Sequence, residues 1–353
     1  MKIKTLRIEN FRNLLSVTLQ AHPELNFIVG DNGAGKTSIL ESLVVLSRGR
    51  SFRTSQAAEL IGTDQATFRV FAETIKDDGQ VHRLGLERSG KHWKARKNAT
   101  ELAQISQLTR SLPLILMEPN SHFLVSGTPE FRRKFLDWGV FHVEHTFLDT
   151  WRRFSRVLKQ KNAALRNRQN DVLDSLDAML YPLGTQLSEL RAKHTQTIGK
   201  IIKGLLPLLS PGLGTIRLEY QNGWGNGDYA KALQGCRQRD LERGTTSLGP
   251  HRADMSLMKG NSMARAILSR GEQKTLSAAL LLAQAELLAS LGEKPLILLD
   301  DLASEFDRAH FRAVLSEALD QGGQIWVTGT DIPDLPVNHD LFHVEHGALQ
   351  EML

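Results

Sequence analysis

Three observations predict an α/β fold in two parts: a head domain with a mixed sheet, and a mainly helical domain inserted into it. The octapeptide "GDNGAGKT", Gly30–Thr37, lies between a strand-like and a helix-like stretch. The last third alternates "KPLILLDD", "FRAVLSEALDQGG" and "QIWVTG", the strand, helix, strand order of a parallel sheet. Between these, residues 128–210 have few glycines, long helical periodicities and an excess of basic side chains.

The elements follow in chain order. "IKTLRIENF" and "LLSVTLQ" alternate as a strand pair, and "LNFIVG" runs straight into the glycine loop. "KTSILESLVVLSRG" has helical apolar spacing. "TFRVFAETI" and "VHRLGLERS" read as strands around a "DDG" turn, and "LPLILMEP" as a short buried strand bounded by prolines. "SPGLGTIRLEY" marks the return to strand chemistry after the helices. The expected domains are therefore residues 1–127 with 211–353 for the head, and 128–210 for the insert.

A chain of 353 residues suits two or three folding units of roughly 100–200 residues each. Its apolar share of 41% and charged share of 24% are those of a globular protein, and no run nears the roughly 18 apolar residues needed to cross a bilayer. The start, "MKIKTLRIENFRN", has no apolar signal core, and a single Cys236 excludes an intramolecular disulfide. A cytoplasmic location without a membrane partner is the expectation. Formal charge is +5, and Glu130–Asn170 alone carries ten Lys and Arg against four acids, so the surplus sits in one segment. Such an excess suits a polyanionic partner.

"GDNGAGKT" satisfies G-x-x-x-x-G-K-[ST] in the strand-to-helix context that gives this motif meaning. Gly30, Asp31, Asn32, Gly33, Ala34 and Gly35 would wrap their backbone N–H groups around phosphates. Lys36 would add a cation for the β and γ phosphates, and Thr37 a hydroxyl for Mg²⁺. The metal needs a carboxylate at the end of a neighbouring strand, which makes Asp300 in "LILLDD" the second metal candidate. Asp301 stands where a carboxylate can polarise the attacking water and is the candidate base.

A second element, "LSRGEQK", opens another helix. Ser269 reads either as a plain helix cap or, with Gly271, as an anion site. Its helix leads directly into the Asp300 strand and does not easily fold back on Lys36, so an anion there would be nucleotide held by another copy of the chain.

This layout resembles the ABC-type ATPases, in which such a signature element closes on a partner's ATP in a head-to-tail sandwich. Within them it is similar to the RecF-like family of bacterial DNA repair proteins, through "IENFRN", "GRSFRT", "GTPEFRRKFLDWGVFH", "LKQKNAALR", "TSLGPHRADM", "LSRGEQK" and "LLDDLASEFD". The resemblance implies an ABC-type head with ATP and Mg²⁺, and an ATP-dependent DNA-binding clamp of recombinational repair. It implies head-to-tail dimerisation on DNA, release by slow hydrolysis, and RecR-like and RecO-like mediators as partners. Arg12 and Asn13 would lie near the nucleotide, Ser269, Gly271 and Lys274 would touch ATP in trans, and Asp307 would close the "SEFD" segment at the dimer interface. Asp301 departs from the commoner glutamate, and no histidine follows "QIWVTG"; Thr328 or Thr330 stands in as γ-phosphate sensor. Glu118 and Asn120 are the candidates for the glutamine expected between loop and signature. An ABC transporter ATPase subunit and an SMC-type structural ATPase are the alternatives.

For DNA, Arg152, Arg156, Lys159 and Arg166 fall on one side of a predicted helix, with Trp151, Phe154, Leu158 and Leu165 on another, expected to face the core. That basic stripe is either a solvated face or a track for phosphates; few aromatics interleave, which favours duplex, gap or junction DNA over stacked single strands. Arg132 and Arg133 would join it or form salt bridges inside the fold. His251 and Arg252 would order the site or the signature helix. "FHVEH" occurs at Phe141–His145 and at Phe342–His346, and its histidines read as surface or packing residues because no third metal ligand is identifiable.

Overall fold

The computed structural model describes residues 1–330 and 339–352. They divide into two compact units, Met1–Ser121 with Leu281–Leu353, and His122–Leu280.

The first unit holds two six-stranded sheets. One is antiparallel, in the order Leu14–Gln20, Lys2–Phe11, Thr67–Ile75, Val81–Ser89, His92–Lys97, Thr100–Glu101. The other is mixed, in the order Ala348–Met352, Asp340–Glu345, Leu25–Val29, Ile325–Gly329, Leu296–Leu299, Leu114–Met117, parallel throughout except where Ala348–Met352 joins. Its central strands are apolar runs buried on both faces, as parallel strands must be.

Leu6, Ile8, Phe68 and Val70 of the antiparallel sheet share one core with Ile39, Leu40, Leu43 and Val44 of the helix Lys36–Arg48 and with Leu298 and Trp326 of the mixed sheet. The helix is therefore buried almost all round, and its polar side chains need partners inside the protein. Ser42 donates to the Ile39 carbonyl and Ser47 to that of Leu112, both at 2.7 Å. Gln324 ties the sheets together. Its Oε1 accepts the Ile3 N–H at 2.8 Å and the Trp326 indole N–H at 3.2 Å, while its Nε2 donates to the Ile3 and His22 carbonyls at 2.8 Å.

The second unit contains the helices Pro129–Val143, Phe147–Arg166 and Leu173–Leu209, the last of 37 residues. It also contains the antiparallel sheet Ser262–Met263, Asp254–Lys259, Ile216–Gln221. The expected return to the head at residue 211 is corrected here: residues 211–280 pack with the helices. Leu218 lies against Gly199 of the long helix, and Tyr229 and Leu233 fill the helical core beside Phe154 and Leu187. Strand chemistry marked the layer change in the chain without saying which unit the strand joins.

Charges inside this unit are paired. The Lys161 ammonium, fully buried, lies 2.6 Å from Asp177 and 3.9 Å from Asp240. Arg191 forks onto Asp137 at 2.7 and 2.9 Å and donates to the Pro250 carbonyl. Arg132 forks onto Asp254 at 2.7 and 3.0 Å, a salt bridge inside the fold, and half-buried Arg133 donates to the Ala253 carbonyl. The two "FHVEH" copies have different settings, the end of the helix Pro129–Val143 and the strand Asp340–Glu345.

His194 and His251 are buried in this unit, and burial pushes each imidazole down to about 4. An unfolded imidazole takes a proton at about 6.5. Between these values the unfolded chain binds more protons than the folded one, so stability falls as pH drops from 6.5 towards 4 and is unaffected above that window. Each histidine contributes up to about 3 kcal/mol to this loss. His194→Gln, which stays neutral, is expected to flatten the slope of urea stability against pH in that range while leaving it unchanged at pH 8. In the first unit, Gln324→Ala removes the side-chain partner of the buried Ile3 N–H and carbonyl and of the Trp326 indole, while the His22 carbonyl keeps the Asn26 amide at 3.0 Å, and a loss of about 2–3 kcal/mol in urea unfolding is expected.

Candidate active site

The strand Leu25–Val29 ends at Gly30, and the helix starts at Lys36. Gly30 and Gly35 have φ of 148° and 123°, in the region that favours glycine. Neither tolerates a side chain: a Cβ on Gly30 would stand 2.2 Å from the Val344 carbonyl oxygen, and one on Gly35 2.9 Å from Leu14. Asn13 braces the loop from outside, its amide donating to the Ala34 carbonyl at 3.1 Å and its Oδ1 accepting from Ser38 at 3.0 Å. The Lys36 ammonium donates to the carbonyls of Gly30 at 2.7 Å and Asp31 at 3.0 Å. Lys36 is 8% exposed, and among the described residues no carboxylate pairs with it. A nearly buried cation held only by neutral acceptors is arranged for an incoming anion.

The mixed sheet brings the remaining groups to this loop. Leu299 is in register with Met117 on one side and Val327 on the other, so Asp300, Glu118 and Thr328 end adjacent parallel strands on one edge. This is where open α/β sheets bind ligands. The Asp300 Oδ1 accepts the Thr37 hydroxyl at 2.9 Å and the Thr328 hydroxyl at 2.8 Å. Burial raises the Asp300 pKa, and those two hydroxyls oppose the rise. Glu118 is pushed up to about 7, by burial first and then by the Asp300 charge. A hydroxyl and a carboxylate in contact, with a second carboxylate close by, are oxygen donors suited to a small hard cation. Thr37 and Asp300 would hold Mg²⁺, which would neutralise charge on the β and γ phosphates of a bound triphosphate.

Arg12 approaches from the antiparallel sheet. Its guanidinium forks onto Glu41 of the buried helix, with Nε at 2.9 Å and Nη2 at 2.7 Å. Glu41 is fully buried and also accepts from the Ser51 hydroxyl and, at 3.4 Å, from Arg53. Arg12 and Arg53 thus reach a cavity of about 510 Å³ that also holds Lys36, Thr37, Asp301 and Thr328. The sequence pointed to Arg12 and Asn13 but missed Glu41 and Arg53; "GRSFRT" was the available signal. Thr328 differs from the γ-phosphate sensor expected of it, because its hydroxyl is committed to Asp300 and accepts the Asp301 N–H at 2.9 Å. Thr330 is exposed.

In the second unit, Ser269 and Glu272 form a reciprocal cap on the helix Arg270–Ser290. The Ser269 N–H donates to Glu272 Oε2 at 2.8 Å, and the Glu272 N–H to Ser269 Oγ at 3.3 Å. Ser269 and Gly271 are exposed, Lys274 is half-buried, and a Cβ on Gly271 would meet open space. Asp307 caps the helix Arg308–Asp320 through the His310 N–H at 2.9 Å. On the helix Phe147–Arg166, Arg156, Lys159 and Arg166 are exposed and Arg152 is half-buried. Phe154 and Leu165 are buried as expected, whereas Trp151 is 41% exposed: it lies at the edge of the apolar stripe, and Val157 and Lys161 fill the inward face instead. His251 packs within this unit, its Nε2 3.0 Å from the Thr246 carbonyl.

A family profile described as RecF/RecN/SMC N terminal domain matches residues 2–345. The DNA replication and repair protein RecF of Stenotrophomonas maltophilia (strain R551-3) is 42% identical, with 99% of both chains covered. That of Xanthomonas axonopodis pv. citri (strain 306) is 39% identical over 99% of this chain and 98% of its own. Among solved structures, one described as the recombination mediator protein RecF with ATP in the RecFOR pathway has a TM-score of 0.90 at 24% identity, covering 100% of this chain and 98% of that one. An Smc head bound to the C-terminal winged-helix domain of ScpA has a TM-score of 0.61 at 15% identity, covering 100% and 97%. The matched family, the full-length relatives and the loop-and-carboxylate geometry agree: the chain belongs to the RecF branch of the RecF/RecN/SMC N-terminal-domain family.

Proposed function

We propose that the chain is an ATP-dependent DNA-binding clamp of recombinational repair. The observation that carries its ATP chemistry is Lys36, nearly buried and, among the described residues, without a carboxylate partner, facing the same cavity as Thr37 and Asp301. Lys36, Arg12 and Arg53 would spread the charge of the triphosphate, and Asp301 would take the proton of the attacking water as its oxygen bonds to the γ phosphorus and ADP departs. Positioning and charge do the work, and the shorter aspartate in place of glutamate supports a slow, DNA-dependent turnover that times release.

Two subunits would meet head to tail, with exposed Ser269 and Gly271 and half-buried Lys274 closing on the partner's ATP and the segment ending at Asp307 in the interface. In the free chain Glu272 caps this helix together with Ser269, so docking onto phosphate would exchange one cap for another. Arg152, Arg156, Lys159 and Arg166 would then follow the backbone of duplex, gap or junction DNA in the cytoplasm. The relatives' names and the pathway of the solved structure support RecR-like and RecO-like mediators as partners. No helix among the described residues is long and apolar enough to cross a membrane.

Sedimentation with ATP and with a nonhydrolysed analogue tests this reading. Lys36→Ala is expected to lose nucleotide binding, and Asp301→Asn to keep binding while turnover falls about a hundredfold or more. Ser269→Arg is expected to bind ATP as a monomer; if it dimerises as the wild type does, the signature element does not act in trans. For DNA, Arg156→Glu with Lys159→Glu is expected to weaken retention and to lower the slope of log affinity against log salt by about 2.

A further inference from the structure

Past the buried strand Leu296–Leu299, the chain turns sharply at Asp301. This residue has φ of 49°, a conformation that costs a non-glycine residue about 1 kcal/mol or more unless its surroundings hold it. The hold is visible: the Asp301 N–H donates to Thr328 Oγ1 at 2.9 Å, and that hydroxyl donates to Asp300 at 2.8 Å. The main chain of Asp301 is thereby tied to the carboxylate that Thr37 also grips.

The four-residue helix Leu302–Glu305 starts directly after it. An aspartate in this position ordinarily spends its carboxylate on a backbone N–H in the first turn. Asp301 makes no such bond. Instead the Ser304 hydroxyl lies 2.9 Å from Asp301 Oδ2 and 2.8 Å from the Asp301 carbonyl oxygen. Among the described residues Oδ1 has no hydrogen-bond partner, and the side chain lines the cavity shared with Lys36 and Thr37. With the N–H fixed on one side and Oδ2 on the other, the carboxylate has one orientation, and its unengaged oxygen is available to a ligand in the cavity.

We propose that Ser304 is a positioning residue for phosphoryl transfer, its hydroxyl fixing the Asp301 carboxylate so that the free oxygen is presented to water beside the γ phosphate. This rests on the reading of Asp301 as the base. Ser304 is exposed, as are Ala303 and Asp307, so water competes for its hydroxyl in the free chain.

The test uses the full chain with Mg²⁺ and ATP, comparing wild type, Ser304→Ala, Ser304→Thr and Asp301→Asn. Turnover is measured against protein and ATP concentration, and ATP-induced assembly by sedimentation. Ser304→Ala is expected to lower kcat about ten- to a hundredfold with KM for ATP within about twofold and assembly intact. Ser304→Thr, which keeps the hydroxyl, is expected to recover most of the rate. A wild-type kcat in Ser304→Ala, an equal loss in Ser304→Thr, or a loss of assembly accounting for the slower turnover overturns the proposal. Full turnover in Asp301→Asn overturns the base reading and the proposal with it. Loss in Asp301→Asn with none in Ser304→Ala removes Ser304 alone.

Discussion

The Asp300 carboxylate links chemistry to packing. It stands at the edge of the mixed sheet, nearly out of water, and accepts hydroxyls from Thr37 on the helix behind the phosphate loop and from Thr328 on the next strand. A buried carboxylate costs several kcal/mol unless its lone pairs are used. Two threonines reduce that cost without neutralising the charge, so affinity for a cation is retained. The same Thr328 hydroxyl receives the Asp301 N–H, and the shape of the following turn depends on it. Glu118, whose ionisation Asp300 opposes, adds a second acid to the edge.

The inserted unit meets the problem of charge in the interior differently. Lys161, Arg191 and Arg132 are each buried against an aspartate from a distant part of the chain. Such pairs add little net stability, but breaking one costs about 3–5 kcal/mol, because a charge is left alone in a poor solvent. They specify one packing of the helices. Of the ten basic side chains in residues 130–170, Arg132 and Lys161 are buried and Arg133 and Arg152 half-buried; Lys134 and Arg153 face solvent beside Glu130 and Asp149, and Arg156, Lys159, Arg166 and Arg168 are exposed. The basic excess legible in composition is thus mostly at the surface, and its buried members serve the packing.

How much could be read in advance follows from range. The phosphate loop, the apolar run before Asp300, and the strands on either side of the "DDG" turn are local patterns, and the structure contains them at those places. The strand His92–Lys97 gave no signal because only Ala95 among its residues is buried. Glu41 lies within the helical stretch "KTSILESLVVLSRG"; its partners, Arg12 and Arg53, come from other elements, and periodicity carries no trace of them. Strand Ile216–Gln221 was assigned to the wrong unit because alternation reports a sheet and not its neighbours. The sequence around Ser269 suits both a helix cap and an anion site, and the structure contains the reciprocal cap with Glu272.

The strand that carries the phosphate loop has a consequence for synthesis. Phe27 pairs with Val327 and Leu341, so both neighbours of Leu25–Val29 leave the ribosome some three hundred positions after it. At ribosomal speeds of about 5–20 residues per second that gap is on the order of tens of seconds. Through that interval "LNFIV", apolar except for Asn26, is an unpaired edge, while all residues of the inserted unit, His122–Leu280, have already been made. The strand that leads into the nucleotide loop, although among the first parts to be made, is thus completed only when the end of the chain has been synthesised.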